Sequence, residues 1–225
     1  MRTIRALLVG HGRMGRLVDA LAAEYGIEIA GRLTSRDMSS PDSWPQADVA
    51  IDFSAAEAVP RNARALAARG MSLVIGTTGW QADAEALRRD LEPLAVGVIA
   101  APNFAIGVHL FLQIAERSAA LLASRGFGAW IHEAHHAAKK DAPSGTALAL
   151  QRVVAPHAAA LDISSTRAGY IPGTHTVGFD SPAETITLTH AARDRTAFAR
   201  GALEAARWIQ GRHGWFTMSD MLEGA

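Results

Sequence analysis

The chain of 225 residues contains no cysteine. Its absence excludes disulfides, thiolate zinc sites, iron–sulfur clusters and a cysteine nucleophile, and it suits the cytoplasm, which is the expected location. An excess of charge is also missing, because 22 Lys and Arg meet 22 Asp and Glu. No large positive field is available to hold nucleic acid or an anionic membrane, so the expected partner is a small molecule. The sequence has no run of eighteen or more apolar residues, and the opening MRTIRALLVG has too short an apolar run for a signal peptide; neither a membrane span nor a leader is expected. Repeats and charge blocks are lacking too. What remains is a chain with 49% apolar residues, enough to bury a sizeable core in one or two domains.

Strand and helix patterns alternate through the first hundred residues. IRALLV at 4–9 runs into a glycine cluster, and RLVDALAAEYG follows with helical spacing and a terminal Gly26 suited to a C-cap. IEIAGRL reads as a strand, 34–46 as a polar stretch, DVAIDF at 48–53 as a strand and 55–69 as an alanine-rich helix. The strand MSLVIG, a helix around 82–91 and the strand VGVIA at 96–100 complete a pattern that predicts a parallel, doubly wound sheet, a Rossmann-like α/β domain. From about Ala105 the pattern changes to a long amphipathic helix over 108–124, the strand-like AWIHEA and the helical TALALQRVVAPHA. SSTRAGY, HTVGFD and ETITLTHAA alternate in the manner of antiparallel strands, and FARGALEAARWIQG is a closing helix. A smaller α+β domain with a mixed or antiparallel sheet is expected there.

Gly10-His11-Gly12-Arg13-Met14-Gly15 is G-x-G-x-x-G between a strand and a helix. Such glycines allow a tight turn, bring backbone N–H groups close to a pyrophosphate and let helix pack on strand, while the helix N-terminus favours the phosphate charge. The bland alternative is a glycine-rich turn without ligand. An Asp or Glu at the end of the second strand would mark an NAD site. Thr34-Ser35-Arg36 stands there instead, and its hydroxyls and guanidinium suit a 2′-phosphate, so NADPH is expected to serve at least as well as NADH. A solvated loop is the competing reading.

HEAHHAAKKDAPSGTALAL at 132–150 begins with a literal H-E-x-x-H. In a zinc protease both histidines lie on one helix face. Gly126 and Gly128 precede a strand-like AWI here, and no third ligand follows, so no metal is expected. An anion pocket with proton transfer accounts for more of the stretch. Pro143-Ser144-Gly145-Thr146 opens a helix, where exposed N–H groups make an anion site, and His135, His136, Lys139 and Lys140 add donors. Lys140 also reads as a surface lysine, and His132 as a packed histidine.

Glu133-Ala134-His135-His136-Ala137-Ala138-Lys139-Lys140-Asp141-Ala142-Pro143-Ser144-Gly145-Thr146-Ala147 resembles the E-x-H-H-x-x-K-x-D-A-P-S-G-T-A signature of the 4-hydroxy-tetrahydrodipicolinate reductases, also called dihydrodipicolinate reductases. The resemblance extends in family order through Gly12–Gly15, Ile51–Ser54, Gly76–Gly79, Asn103–Val108, Gly173–Thr176 and Arg195–Ala199. It implies NAD(P)H-dependent reduction of a small cyclic dicarboxylate to tetrahydrodipicolinate, a step of diaminopimelate and lysine biosynthesis; reduction of another cyclic imine or imino acid is the alternative. By matching position, His135 would be the catalytic histidine, Lys139 the proton donor, and His136, Lys139, Ser144, Gly145 and Thr146 the carboxylate holders. Gly10, Gly12, Arg13, Met14 and Gly15 would touch the pyrophosphate, and Gly76, Thr78, Pro102, Asn103 and Phe104 would line the nicotinamide. Family topology implies a dinucleotide domain of 1–104 completed by 196–225, and a substrate and oligomerisation domain of 105–195. The glycine turn is one residue shorter than the family's usual form, and the region before Gly169 is shortened. A homo-oligomer is implied, a tetramer in the family or a dimer here.

Overall fold

A computed structural model describes residues 2–37 and 40–224; residues 38 and 39 of the polar stretch lie outside that description. The chain divides into two compact units, Met1–Ala105 with Arg195–Ala225, and Ile106–Asp194.

The first unit is built on a sheet of six parallel strands, β1 (Ile4–Val9), β2 (Ile27–Leu33), β3 (Val49–Asp52), β4 (Ser72–Ile75), β5 (Gly97–Ala100) and β10 (Gly214–Phe216). Their order across the sheet is β10-β5-β4-β3-β1-β2. Helix α1 (Arg13–Leu21), α2 (Val59–Ala67), α3 (Ala84–Leu91) and α6 (Thr196–Trp208) belong to this unit. Both faces of the sheet are covered, so the central strands are apolar at successive positions rather than alternate ones. Every residue of β3 is buried. Leu7, Val9, Ala50, Leu73 and Ile75 face α2 and α3 through Val59, Ala63, Leu66, Leu87 and Leu91. On α6, Ala199, Gly201, Ala202, Ala205 and Ala206 are buried, small residues that let a helix lie close to its neighbours. Strand order reverses between β1 and β3, and open α/β sheets place their ligand crevice at the carboxyl ends of such strands.

In the second unit, β6 (Gly128–His135), β7 (Leu161–Arg167), β8 (Thr174–Asp180) and β9 (Thr185–Ala191) form a sheet ordered β7-β6-β8-β9. Helices α4 (Ile106–Leu122) and α5 (Gly145–Val154) cover one face, where Phe111, Ala115, Ala119, Ala147, Leu150 and Val154 meet Ile131, Val177 and Phe179. The three segments read as antiparallel strands do not all pair that way, since β7 runs parallel to β6. The physical reason is α5, which carries the chain back across the sheet as a crossover and returns it in the same direction. The closing helix is likewise followed by two elements absent from the sequence reading, β10 and α7 (Met218–Glu223). Residues 106–125 are long and apolar enough to cross a membrane by length and composition, at mean hydropathy 1.2. One side of α4, with Phe111, Ala115 and Ala119, packs on the second sheet, Leu110, Ile114 and Leu121 are exposed, and Glu116 and Arg117 stand near its middle.

Candidate active site

The glycine turn joins β1 to α1, and its three glycines serve different ends. Gly10 has φ +86°, and a Cβ there would stand 2.4 Å from the Phe53 carbonyl oxygen. A Cβ on Gly15 would meet the Gly10 oxygen at 2.1 Å, so this glycine lets the helix approach the turn. Gly12 is the N-cap of α1 and, among the described residues, has no side-chain cap and nothing within 4 Å of where a Cβ would stand. Backbone N–H groups at the start of α1 are therefore left for a ligand. A cavity of about 680 Å³ opens beside them, lined by Gly10, Gly12, Thr34, Ser35, Phe53 and Arg61 among others. A second cavity of about 320 Å³ brings Gly12, Arg13 and Met14 together with Gly76 and Thr78. The donor set and the space fit a dinucleotide with its pyrophosphate on α1.

Arg36, Pro102, Asn103 and Phe104 line neither of these two cavities. Phe104 is buried and packs edge-on against Phe53, ring centres 6.4 Å apart. Asn103 Oδ1 accepts the Ala105 N–H at 2.8 Å. Thr34 donates both its N–H and its hydroxyl to Asp37 Oδ2, each at 2.7 Å, which puts a carboxylate beside the place read for a 2′-phosphate.

Asp52, which precedes the cavity-lining Phe53 and Ser54, ends β3 and is only 4% exposed. Its Oδ1 accepts the Ser54 N–H (2.9 Å), the Ser54 hydroxyl (2.6 Å) and the Thr77 hydroxyl (2.8 Å). Burial raises its carboxyl above the ordinary range, and these hydrogen bonds oppose the rise.

The histidine stretch is strand, turn and helix. His132 and His135 are three apart on β6 and therefore face opposite sides of the sheet. His132 Nε2 lies 3.0 Å from Thr166 Oγ1 on the helix-free side, and His136 is exposed in the turn beyond the strand. Glu133 and His135, two apart, share the helix-covered side. Register then extends a row of polar groups along that otherwise apolar face: Arg167 stands opposite His135, His175 opposite Glu133, and His190 opposite His175.

Glu133 has no exposed surface. Arg167 grips both its oxygens, Nη2 to Oε1 at 2.7 Å and Nη1 to Oε2 at 2.9 Å, and the Ser144 N–H reaches Oε1 at 3.3 Å. His135 Nδ1 is hydrogen-bonded to Glu133 Oε2. Burial alone would raise the Glu133 carboxyl, but the Arg167 fork and the other donors win and hold it down at about 2. Burial lowers the His135 imidazole against the pull of Glu133. A neutral His135 whose Nδ1–H points at a carboxylate presents Nε2 as its free reacting atom.

Lys139 Nζ donates to both oxygens of Asp141, at 2.8 and 2.9 Å, and Arg167 Nη2 donates to the Asp141 carbonyl at 2.6 Å. The Lys139 charge acts on His135, so the two belong to one electrostatic unit. Ser144 is the N-cap of α5, its Oγ accepting the Ala147 N–H at 3.3 Å. Gly145 is exposed and Thr146 half-buried at the first turn of α5, whereas Ser144 is 2% exposed. The ligating atoms of Glu133, His135 and His175 lie within 4.8 Å of one another, the spacing of a metal site. Arg167 and His135 already occupy the two carboxylate oxygens of Glu133.

Glu133, Arg167 and His175 are members of this site that sequence reasoning left out. A signal existed for the first, since a period of two puts Glu133 on the His135 face. Arg167 and His175 arrive by strand pairing over long sequence separations.

Comparisons with known proteins agree from end to end. The family model described as "Dihydrodipicolinate reductase, N-terminus" matches residues 4–104, and "Dihydrodipicolinate reductase, C-terminus" matches 107–222. The 4-hydroxy-tetrahydrodipicolinate reductase of Myxococcus xanthus (strain DK1622) is 40% identical over 97% of each chain. That of Acidiphilium cryptum (strain JF-5) is 40% identical over 94% of each. Among solved structures, a dipicolinate-bound dihydrodipicolinate reductase from Paenisporosarcina sp. TG-14 shares the fold, with a TM-score of 0.81 at 22% identity over 96% of this chain and 98% of that one.

Proposed function

We propose, from the premise that the chain belongs to the dihydrodipicolinate reductase family, that the polar row at the end of β6 is where its substrate is held and protonated. The enzyme is an NAD(P)H-dependent 4-hydroxy-tetrahydrodipicolinate reductase of diaminopimelate and lysine biosynthesis. The first unit, Met1–Ala105 with Arg195–Ala225, is the dinucleotide unit in this reading, and Ile106–Asp194 the substrate unit. When bound, the cofactor supplies the hydride.

The remaining steps are this chain's own. A dicarboxylate carries two charges that need partners, and the first turn of α5 offers the N–H groups of Gly145 and Thr146 in line with the helix dipole. Lys139 and the exposed His136 add donors. Reduction of a conjugated C=C–C=N system leaves negative charge to be quenched by a proton. With His135 lowered by burial and turned by Glu133, its Nε2 orients the reacting group by a hydrogen bond, and the Lys139 ammonium held by Asp141 is the acid of the pair. The single observation that carries this reading is the Arg167 fork on Glu133, which fixes the tautomer and direction of His135.

His135→Gln and Lys139→Ala test it. Each should lower kcat by roughly 10² to 10⁴ in the oxidation of NADPH with synthase-generated substrate, the size of a general-acid or charge-stabilising contribution. A near-wild-type kcat in both sinks the assignment.

We propose in addition that the chain works in the cytoplasm, where its reductant is supplied, and as a homo-oligomer. The helix-free face of the second sheet supports the latter, because Trp130 lies there on Gly178 beside the Thr176–Thr189 hydroxyl pair. Light scattering should return a multiple of the 23.8 kDa chain; the mass of one chain overturns this.

A further inference from the structure

His175 is 5% exposed at the middle of the polar row, and neither its position nor its chemistry is used by the steps above. Its ring lies across that of His135, centres 5.1 Å apart and planes at 72°. Its Nε2 is 2.8 Å from Ser144 Oγ, and its Nδ1 is buried with no hydrogen-bond partner among the described residues. Burial, followed by the neighbouring His135, pushes its imidazole down to about 4, so it is neutral at physiological pH. A neutral imidazole owns one N–H. Were that hydrogen on Nδ1, a buried donor would be orphaned, which folded proteins avoid more strictly than an unused acceptor. The hydrogen belongs on Nε2, directed at Ser144.

The consequence falls on Ser144. Its oxygen then accepts two hydrogen bonds, from His175 and from the Ala147 N–H, and its own proton is left to donate. Its backbone N–H is meanwhile held by Glu133. Two neighbours in one row of the sheet, Glu133 and His175, thus grip the N-cap residue of α5 by its backbone and by its side chain. Ser144 is 2% exposed at the N-terminus of α5, so an anion seated on that terminus is placed to meet the free proton.

We propose that His175 is a positioning residue for the dicarboxylate: by donating Nε2–H to Ser144 Oγ it fixes the first turn of α5 beside His135 and turns the Ser144 hydroxyl toward the anion. This rests on the substrate site assigned above, and it predicts an effect on dicarboxylate binding rather than on the cofactor.

The test is calorimetric titration of dipicolinate into wild-type, His175→Phe and His175→Gln protein, with steady-state kinetics alongside. His175→Phe should weaken dipicolinate and raise the substrate KM by about tenfold or more, the usual size for a lost hydrogen-bond arrangement around a charged ligand, while the KM for NADPH stays within twofold. His175→Gln, whose amide N–H reaches to about the Nε2 position, should recover most of the loss. Ser144→Ala added to His175→Phe should cost little more than either alone, because both break one link. Unchanged dipicolinate affinity in folded His175→Phe overturns the proposal, and so does full additivity with Ser144→Ala or a Gln variant as weak as the Phe variant. Dipicolinate binding by a wild-type protein that fails to turn over substrate would refute the reductase reading and leave the His175 test standing.

Discussion

Asp52 in the first unit and Glu133 in the second are both buried acids, 4% and 0% exposed, and their surroundings drive them in opposite directions. Asp52 receives three hydrogen bonds from neutral donors, one backbone N–H and two hydroxyls, and burial still raises its carboxyl. Glu133 receives a two-pronged guanidinium as well as an imidazole and a backbone N–H, and it sits at about 2. The number of donors is similar, so what separates the two is the counter-cation. The first site offers backbone N–H groups and shaped space, and its acid ties two loops together through Ser54 and Thr77. In the second, the acid must stay charged for His135 to keep its orientation, and Arg167 is the residue that keeps it so.

Removing that cation is the largest way to break the contrast. Arg167→Met leaves Glu133 as a buried charge without its partner, and the melting temperature should fall by about 10 °C. Activity should fall with it, toward the level of His135→Gln, because the imidazole loses its fixed acceptor. The pH dependence gives a second readout with a definite sign. The Glu133 carboxyl is lower in the folded chain than its ordinary 4.5, so it contributes stability that is fully present above about pH 4.5 and is lost as pH falls toward about 2. Acid titration of unfolding should show that loss in the wild type and a flattened one in Arg167→Met. Equal acid slopes in the two proteins would mean that Arg167 is not what holds Glu133 down.

How much of this could be read in the sequence follows from how each site is assembled. The glycine turn is local: strand, G-x-G-x-x-G and helix lie within about twenty residues, so spacing alone reports the cradle. HEAHHAAKKDAPSGTA is local in the same sense, and it carries His135, Lys139 and the α5 terminus. The Glu133 clamp is not. Arg167 lies 34 residues on and His175 a further strand away, and which residue stands opposite which depends on a register that no local pattern encodes. The parallel pairing of β7 was hidden for a related reason, since alternation reports a half-buried strand but not its direction. β10 escaped because three residues, GWF, carry too little period to be seen, and the strand exists by virtue of the sheet edge offered by β5.

Asp52→Asn should have the smallest effect, and it sharpens the comparison from the other side. A carboxyl raised in the folded state contributes stability below its unfolded pKa and loses it as pH rises through the folded value, so ionising this group in the folded chain is a burden rather than an asset. Asparagine keeps an oxygen to accept from Ser54 and Thr77 and cannot ionise, at the cost of placing an amide NH₂ among the same donors. The two effects offset, and the change in melting temperature at pH 7 should stay within about 3 °C in either direction. NADPH binding should be nearly kept, since the loops remain tied. The stability curve is the more telling measurement: relative to the wild type, the variant should gain as pH rises above about 4, opposite in sign to the Glu133 contribution. A destabilisation at neutral pH as large as that of Arg167→Met would show that Asp52 is held charged by a partner outside its hydroxyl donors, and the contrast between the two acids would collapse.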